Sequence, residues 1–238
     1  MIKINRIIRP HFLFFSFFYS FFSSNALADS ECFNPSNINT VGPAGTVCAE
    51  MLIVSKAMLL EAEEVGNGSD FSISFDGTDY TFGNSANNVF TGQITDFNYI
   101  FKDKANFNAD IGYWDLRNAL TTRFMFQRAS SFNQNINSWN VSNVRNMQGM
   151  FHFATSFNQD LNSWDVSKVD NLRSIFQSAK AFNGNISSWN TSNVWNLGYA
   201  FAEAEAFNSD ISIWDTSKVT YFGRTFLRAK EFNQDIGN

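Results

Sequence analysis

Apolar residues return along this chain at a fixed interval. Phe107, Phe132, Phe157, Phe182, Phe207 and Phe232 are each followed by Asn, and a tryptophan stands seven residues after each Phe at Trp114, Trp139, Trp164, Trp189 and Trp214. Every step is 25 residues, with no insertion or deletion. Other columns share the step: Phe101 to Phe226, Ile111 to Ile236, Val144 to Val219, and a small-residue column from Ala129 to Ala229. A period of this size predicts a solenoid, in which each coil covers the apolar face of its neighbour. Ile94, Phe97, Ile100 and Phe101 have the spacing of Val144, Met147, Met150 and Phe151, so the array is expected over residues 94–238.

Within one coil the pattern changes. Val144, Met147, Met150, Phe151 and Ala154 fall at i, i+3, i+6, i+7 and i+10, which predicts one face of a short helix. Ser142 is its expected cap, with Ser167, Ser192 and Ser217 in the same role later. Phe157 to Trp164 is polar with one Leu and predicts a short strand between tight turns, stacked in parallel on its neighbours about 4.8 Å apart. The expected fold class is therefore an α/β repeat solenoid of between five and six coils. Ala119, Leu120, Thr121 and Thr122 depart from the later coils, as a coil beside a cap is expected to.

Residues 29–93 predict a cap for the first coil. Pro35, Gly42, Pro43 and Gly45 mark an irregular lead-in, and residues 50–65, rich in helix formers and stopped by Gly66, predict a helix. Phe71, Ile73 and Phe75 alternate before Asp76-Gly77, which predicts a hairpin running to Phe82. Cys32 and Cys48, the two cysteines of the chain, are expected to form a disulfide in an oxidising compartment.

The first 28 residues point to that compartment. Lys3, Arg6 and Arg9 precede an apolar run from Phe12 to Phe22, and Ala26-Leu27-Ala28 fits a cleavage site, so residues 1–28 read as a signal peptide. The run has 11 residues, against about 20 needed to span a bilayer. An exported protein, secreted or at the cell surface, is expected. Net charge is −5, or −8 once the three basic residues of the signal are removed, which disfavours nucleic acid as a partner.

The unit FNQDLNSWDVSKVDNLRSIFQSA, from Phe157 to Ala179, resembles the repeats of BspA-like leucine-rich-repeat surface proteins, roughly FNxDIxxWdvSxVxxMxxMFxxA. The resemblance covers Ile94 to Asn238. It implies leucine-rich-repeat-like coils, display at the cell surface or in the medium, and a role in adhesion or protein recognition. It implies no catalytic residues.

Candidate chemistry is sparse. The tryptophan column could stack on sugar rings, although a ladder kept at one phase is more often packed between coils. Asp110 to Asp235 and Asp115 to Asp215 form two partly acidic columns, where interchange of Asp with Asn suits a turn acceptor better than a calcium ligand. His152 is the one histidine beyond the signal, and no catalytic pair, phosphate loop or metal-ligand cluster accompanies it. No enzyme activity, cofactor or metal is expected.

Residues that differ between coils are the better binding candidates. Trp195 stands outside the ladder, Tyr199 follows four residues later on the same expected helical face, and Phe124 and Phe153 are aromatic where other coils are not. The expected function is protein recognition or adhesion through the solenoid face, with these four residues as candidate contacts and a protein or surface glycan as the partner; carbohydrate binding through the tryptophan column is an alternative. Self-association is an alternative, because the chain stops at Asn238 with its last coil half-built.

Overall fold

The computed structural model describes residues 30–65, 70–83 and 87–236. The signal segment and Asn238 lie outside the described residues. Cys32 and Cys48 are joined by a disulfide with a Cα–Cα distance of 5.8 Å. They pack with Ile53 and Phe90 in a small apolar cluster apart from the main core. β1 (Leu52–Ile53) pairs in parallel with β5 (Val89–Phe90), and α1 (Lys56–Glu61) follows β1. β2 (Glu63–Val65), β3 (Asp70–Phe75) and β4 (Thr78–Thr81) form an antiparallel sheet in the order β2-β3-β4. β3 and β4 are joined at Asp76 and Gly77, both with positive φ (47° and 75°), as a two-residue hairpin turn requires.

The helix expected over residues 50–65 is confined to Lys56–Glu61. Ser55 sets its start by accepting a hydrogen bond from Met58 N–H at 3.3 Å. Upstream, Glu50 has φ of 63°, and the β-branched Ile53 favours the strand beside β5. Downstream, residues 63–65 are drawn into pairing with β3.

From Asp96 onward the chain retraces its course every 25 residues, and isolated parallel bridges join Asp96, Thr121, Asn146, Asn171, Asn196 and Tyr221 in succession. The bridges fall at the start of the segment expected to be helical. Residues 157–164, expected as a strand, form turns and irregular chain instead. Among the described residues, none after Glu61 is helical.

A ribbon of overlapping turns replaces the expected helix. In the third coil Met150, His152 and Ala154 donate their N–H groups back three residues, to Met147, Gly149 and Phe151, at 3.0–3.1 Å. The intervening residues Met147, Gly149, Phe151 and Phe153 donate instead to the next coil, at Asn171, Arg173, Ile175 and Gln177, at 2.9–3.1 Å. Alternate N–H groups can point to a neighbour only if the backbone reverses hand. Two residues per coil do so: Phe124 and Arg128 in one, Gly149 and Phe153 in the next, Ser174 and Ser178 after them, with φ of 54–62°. Overlapping three-residue turns bring apolar side chains inward at nearly the helical spacing, so one sequence pattern fits both structures.

The core is a set of aromatic ladders. Phe126 stacks on Phe132 at 3.9 Å within its coil and on Phe151 at 5.6 Å in the next, and later coils repeat both contacts. Each such pair contributes about 0.5–1.5 kcal/mol beyond area burial. The N-terminal segment continues these ladders: Phe71 stands 5.9 Å from Phe107 and Phe82 6.2 Å from Phe101. Ala154 and Ala179 are fully buried, where a larger side chain would push the coils apart.

Candidate binding surface

The repeated polar columns are spent on holding the coils together. Each ladder tryptophan is at least nine-tenths buried, and Trp139, Trp164 and Trp189 donate Nε1–H to carbonyls of Ile111, Ile136 and Leu161 in the preceding coil at 2.9–3.0 Å. Trp164 stacks on Trp189 at 6.3 Å with 4° between the planes. With its faces covered and its one donor used, the column has no ring face to offer a sugar.

The Asn column is half-buried to exposed and still pairs coil to coil. Asn133 N–H donates to Asn108 Oδ1, and Asn158, Asn183, Asn208 and Asn233 repeat the bond at 2.8–3.0 Å. The two partly acidic columns close turns: Asp110 Oδ1 accepts from Gly112 N–H, and Asp115, Asn140, Asp165, Asn190 and Asp215 accept from the N–H two residues on, at 2.9–3.1 Å. Ser142, expected as a helix cap, is the donor in such a turn and Asn140 the acceptor. Its N–H holds Asn140, and one coil on the Ser167 hydroxyl, with the Ser167 N–H, holds the Asp165 carboxyl below the usual carboxylate range. A ring of turn acceptors needs one oxygen per coil, which Asn supplies as well as Asp. Among the described residues no group of His, Cys, Asp and Glu is arranged to hold a metal.

The outer side of the ribbon is different. Its columns run through Thr95, Asn98, Tyr99, Lys102 and Asp103 of the first coil, and their residue types change from coil to coil. Trp195 lies here at 45% exposure and Phe153 at 38%, while Phe124 and Tyr199 are half-buried. With no helix present, Trp195 and Tyr199 are joined by the ribbon and occupy separate columns. Tyr199 shares its left-handed column with Tyr99, Phe124, Gly149, Ser174 and Arg224, and Phe153 shares the second with Asp103, Arg128, Ser178, Glu203 and Arg228. Tyr99 stacks on Phe124 at 5.6 Å.

Arginines accompany these rings, and the sequence pattern did not single them out. The guanidinium of Arg123 lies 5.7 Å from the Phe124 ring, that of Arg128 5.9 Å from Phe153, and those of Arg173 and Arg224 5.9 and 5.7 Å from Tyr199. Arg128 also pairs with Asp103 at 3.0 Å and Arg228 with Glu203 at 3.2 Å. His152 lies in this layer, its Nδ1 3.1 Å from Gln127 Nε2 and its ring 4.5 Å from Phe153. Burial, with the nearby positive charge of Arg128, lowers its pKa to about 4.

In the last described coil Phe222 is 49% and Ile236 55% exposed, whereas Leu197 and Ile211, one coil earlier in the same columns, are buried. No helix among the described residues is long and apolar enough to cross a membrane.

This is a repeat protein whose coils are locked by side-chain and backbone ladders and whose turn ribbon presents side chains that change from coil to coil. The chain belongs to the family described as Mycoplasma protein of unknown function, DUF285, which it matches over residues 69–172 and 159–238. No curated protein and no solved structure matches it.

Proposed function

We propose that this chain is an exported, non-enzymatic recognition module of the BspA-like leucine-rich-repeat kind, a solenoid that binds another protein through the outer side of its turn ribbon. The observation that carries the reading is the division of labour between columns. Side chains that repeat from coil to coil are consumed in ladders, whereas the outer side of the ribbon carries aromatic and charged side chains that differ from coil to coil. A stack of this kind presents an extended surface to which each coil adds contacts, so affinity accumulates along it. Phe153, Trp195, Tyr199 and Phe124 are the aromatic anchors, the residue type that dominates interface energetics. Export fits the basic and apolar character of residues 1–28 and the Cys32–Cys48 disulfide.

Panning a random displayed-peptide library against the purified protein tests this reading. A consensus that Phe153→Ala, Trp195→Ala or Tyr199→Ala weakens, with thermal stability kept, is the expected result. Failure to enrich any consensus, or a consensus indifferent to all three substitutions, would refute it.

A further inference from the structure

The charges of the molecule are segregated. Six of the seven described arginines, all but Arg117, fall in the ribbon segments 95–103, 120–128, 145–153, 170–178, 195–203 and 220–228. With Lys102 these segments carry seven cationic side chains against four carboxylates, while the remaining described residues carry seven against seventeen. A net-positive strip thus runs along an acidic protein, on the same side as the variable aromatics.

Several of these arginines make no close ion pair, although the charge of Arg145 reaches the Asp170 carboxyl. Among the described residues Arg123, Arg145, Arg173 and Arg224 form no ion pair, in contrast to Arg128 and Arg228. Arg123 Nε is buried without a hydrogen-bond acceptor. Arg173 lies against the Tyr199 ring, which leaves its donor edge available to a carboxylate, whereas Arg224 donates Nη1–H to the Tyr199 hydroxyl at 3.0 Å. Burial raises the Asp170 carboxyl, an effect that Arg145 only partly offsets.

Resting on the recognition reading, we propose that the partner is an acidic protein segment, extended along the stack, that sets carboxylates against Arg123, Arg145 and Arg173 and apolar side chains against Phe124, Phe153 and Tyr199. Spacing supports this occupant. Successive coils stand 5.4–5.7 Å apart, measured along the Phe101 to Phe226 ladder. Side chains on one face of an extended chain recur at about 6.6 Å. Arg123 and Arg173 share a column two coils apart, over which the two repeats drift by only about 2 Å, within the reach of an Arg side chain, and Arg145 stands three positions earlier along the ribbon in the coil between them. A continuous polyanion fits less well, because Asp96, Asp103, Asp170 and Glu203 interrupt the strip and the rest of the protein repels an extended anionic surface.

Two measurements decide it. Peptides enriched from the displayed library should be rich in Asp and Glu; a consensus that is neutral or basic overturns the acidic partner while leaving the recognition reading standing, and no consensus removes both. In solution, a labelled short peptide of alternating Glu and Leu should bind at least about tenfold more tightly than its Gln and Leu counterpart and release as salt rises. Arg145→Gln with Arg173→Gln should weaken it about tenfold. Both side chains are exposed, so unchanged circular dichroism and melting temperature separate this loss from misfolding. Equal binding of the Glu and Gln peptides, or tighter binding of heparin or of phosphatidylglycerol vesicles than of the Glu peptide, would overturn the proposal.

Discussion

The ring of Phe124 lies across the backbone of Gly149 in the next coil: a Cβ added at Gly149 would stand 2.3 Å from both Cδ1 and Cε1 of that ring. Gly149 also has φ of 62°, in the left-handed column that Phe124 itself occupies. An aromatic in one coil is therefore seated by the absence of a side chain in the next.

Two costs fall on Gly149→Ala, the left-handed backbone and the displaced ring. Together they should lower stability by about 1–3 kcal/mol, read as a fall in the denaturation midpoint. In a Phe124→Ala background the same substitution should cost about 1 kcal/mol less, because the ring that clashes is gone. Equal costs in both backgrounds would mean that the ring moves freely and the seat is not specific.

The Asn ladder makes a sharper chemical prediction. Asn183 Oδ1 accepts from Asn208 N–H at 2.8 Å and its own N–H donates to Asn158 Oδ1 at 2.8 Å. Asn183→Ala removes the acceptor and should cost about 1 kcal/mol, the net worth of a typical hydrogen bond at a partly solvated site. Asn183→Asp keeps an oxygen in place and should cost clearly less. If the two variants melt together, the ladder contributes nothing through its acceptors.

How far the chain could be read from its sequence depended on which quantity the sequence encodes directly. Burial of Phe151, Ala154 and Trp164 is written in the 25-residue columns, and the interchange of Asp with Asn at Asp165 and Asn190 already marks a turn acceptor. Backbone hand is not written there. Phe124, Arg128 and Phe153 take left-handed conformations that no glycine announces, and inward side chains of a turn ribbon mimic a helical face. Residues 50–65 mislead through composition: strong helix formers surround Ile53, which β5 captures, and residues 63–65, which β3 captures. Of the candidate surface, the four aromatics were legible as departures from the repeat. Their arginine partners were not, because charged residues at variable positions carry no period.

Thr122 is an internal misfit. It is fully buried, its Oγ1 lacks a hydrogen-bond partner, and its column otherwise holds Phe97, Met147, Leu172 and Leu197. Thr122→Val keeps the shape and removes the stranded hydroxyl, so it should raise stability by about 1 kcal/mol. A destabilised variant would show that the hydroxyl has a partner after all, a water between coils one and two.

His152 gives the ribbon a pH dependence whose sign follows from its surroundings. Burial disfavours the imidazolium and Arg128 repels it, while Glu203 acts weakly the other way, so the folded protein holds the group at about 4 against an ordinary 6.5. As pH falls through 6.5 the unfolded chain takes up a proton that the folded chain refuses until about pH 4. The contribution to stability is thus complete above pH 6.5, declines between 6.5 and about 4, and is level below. The linkage amounts to about 1–3 kcal/mol for this one group, the lower figure allowing for its partial contact with water. Other groups titrate in the same range, so the test is the difference between two proteins. His152→Gln places there the residue that Gln127 and Gln177 already supply in the same column. Above pH 6.5 its denaturation midpoint should match the wild type to within the small cost of substitution, and near pH 4 the wild type should be the less stable of the two. Relative to the variant, the wild type should gain stability steadily from pH 4 to 6.5. Parallel pH profiles would mean that His152 is protonated as readily in the folded ribbon as in the open chain, and that its buried Nε2 is reached by solvent.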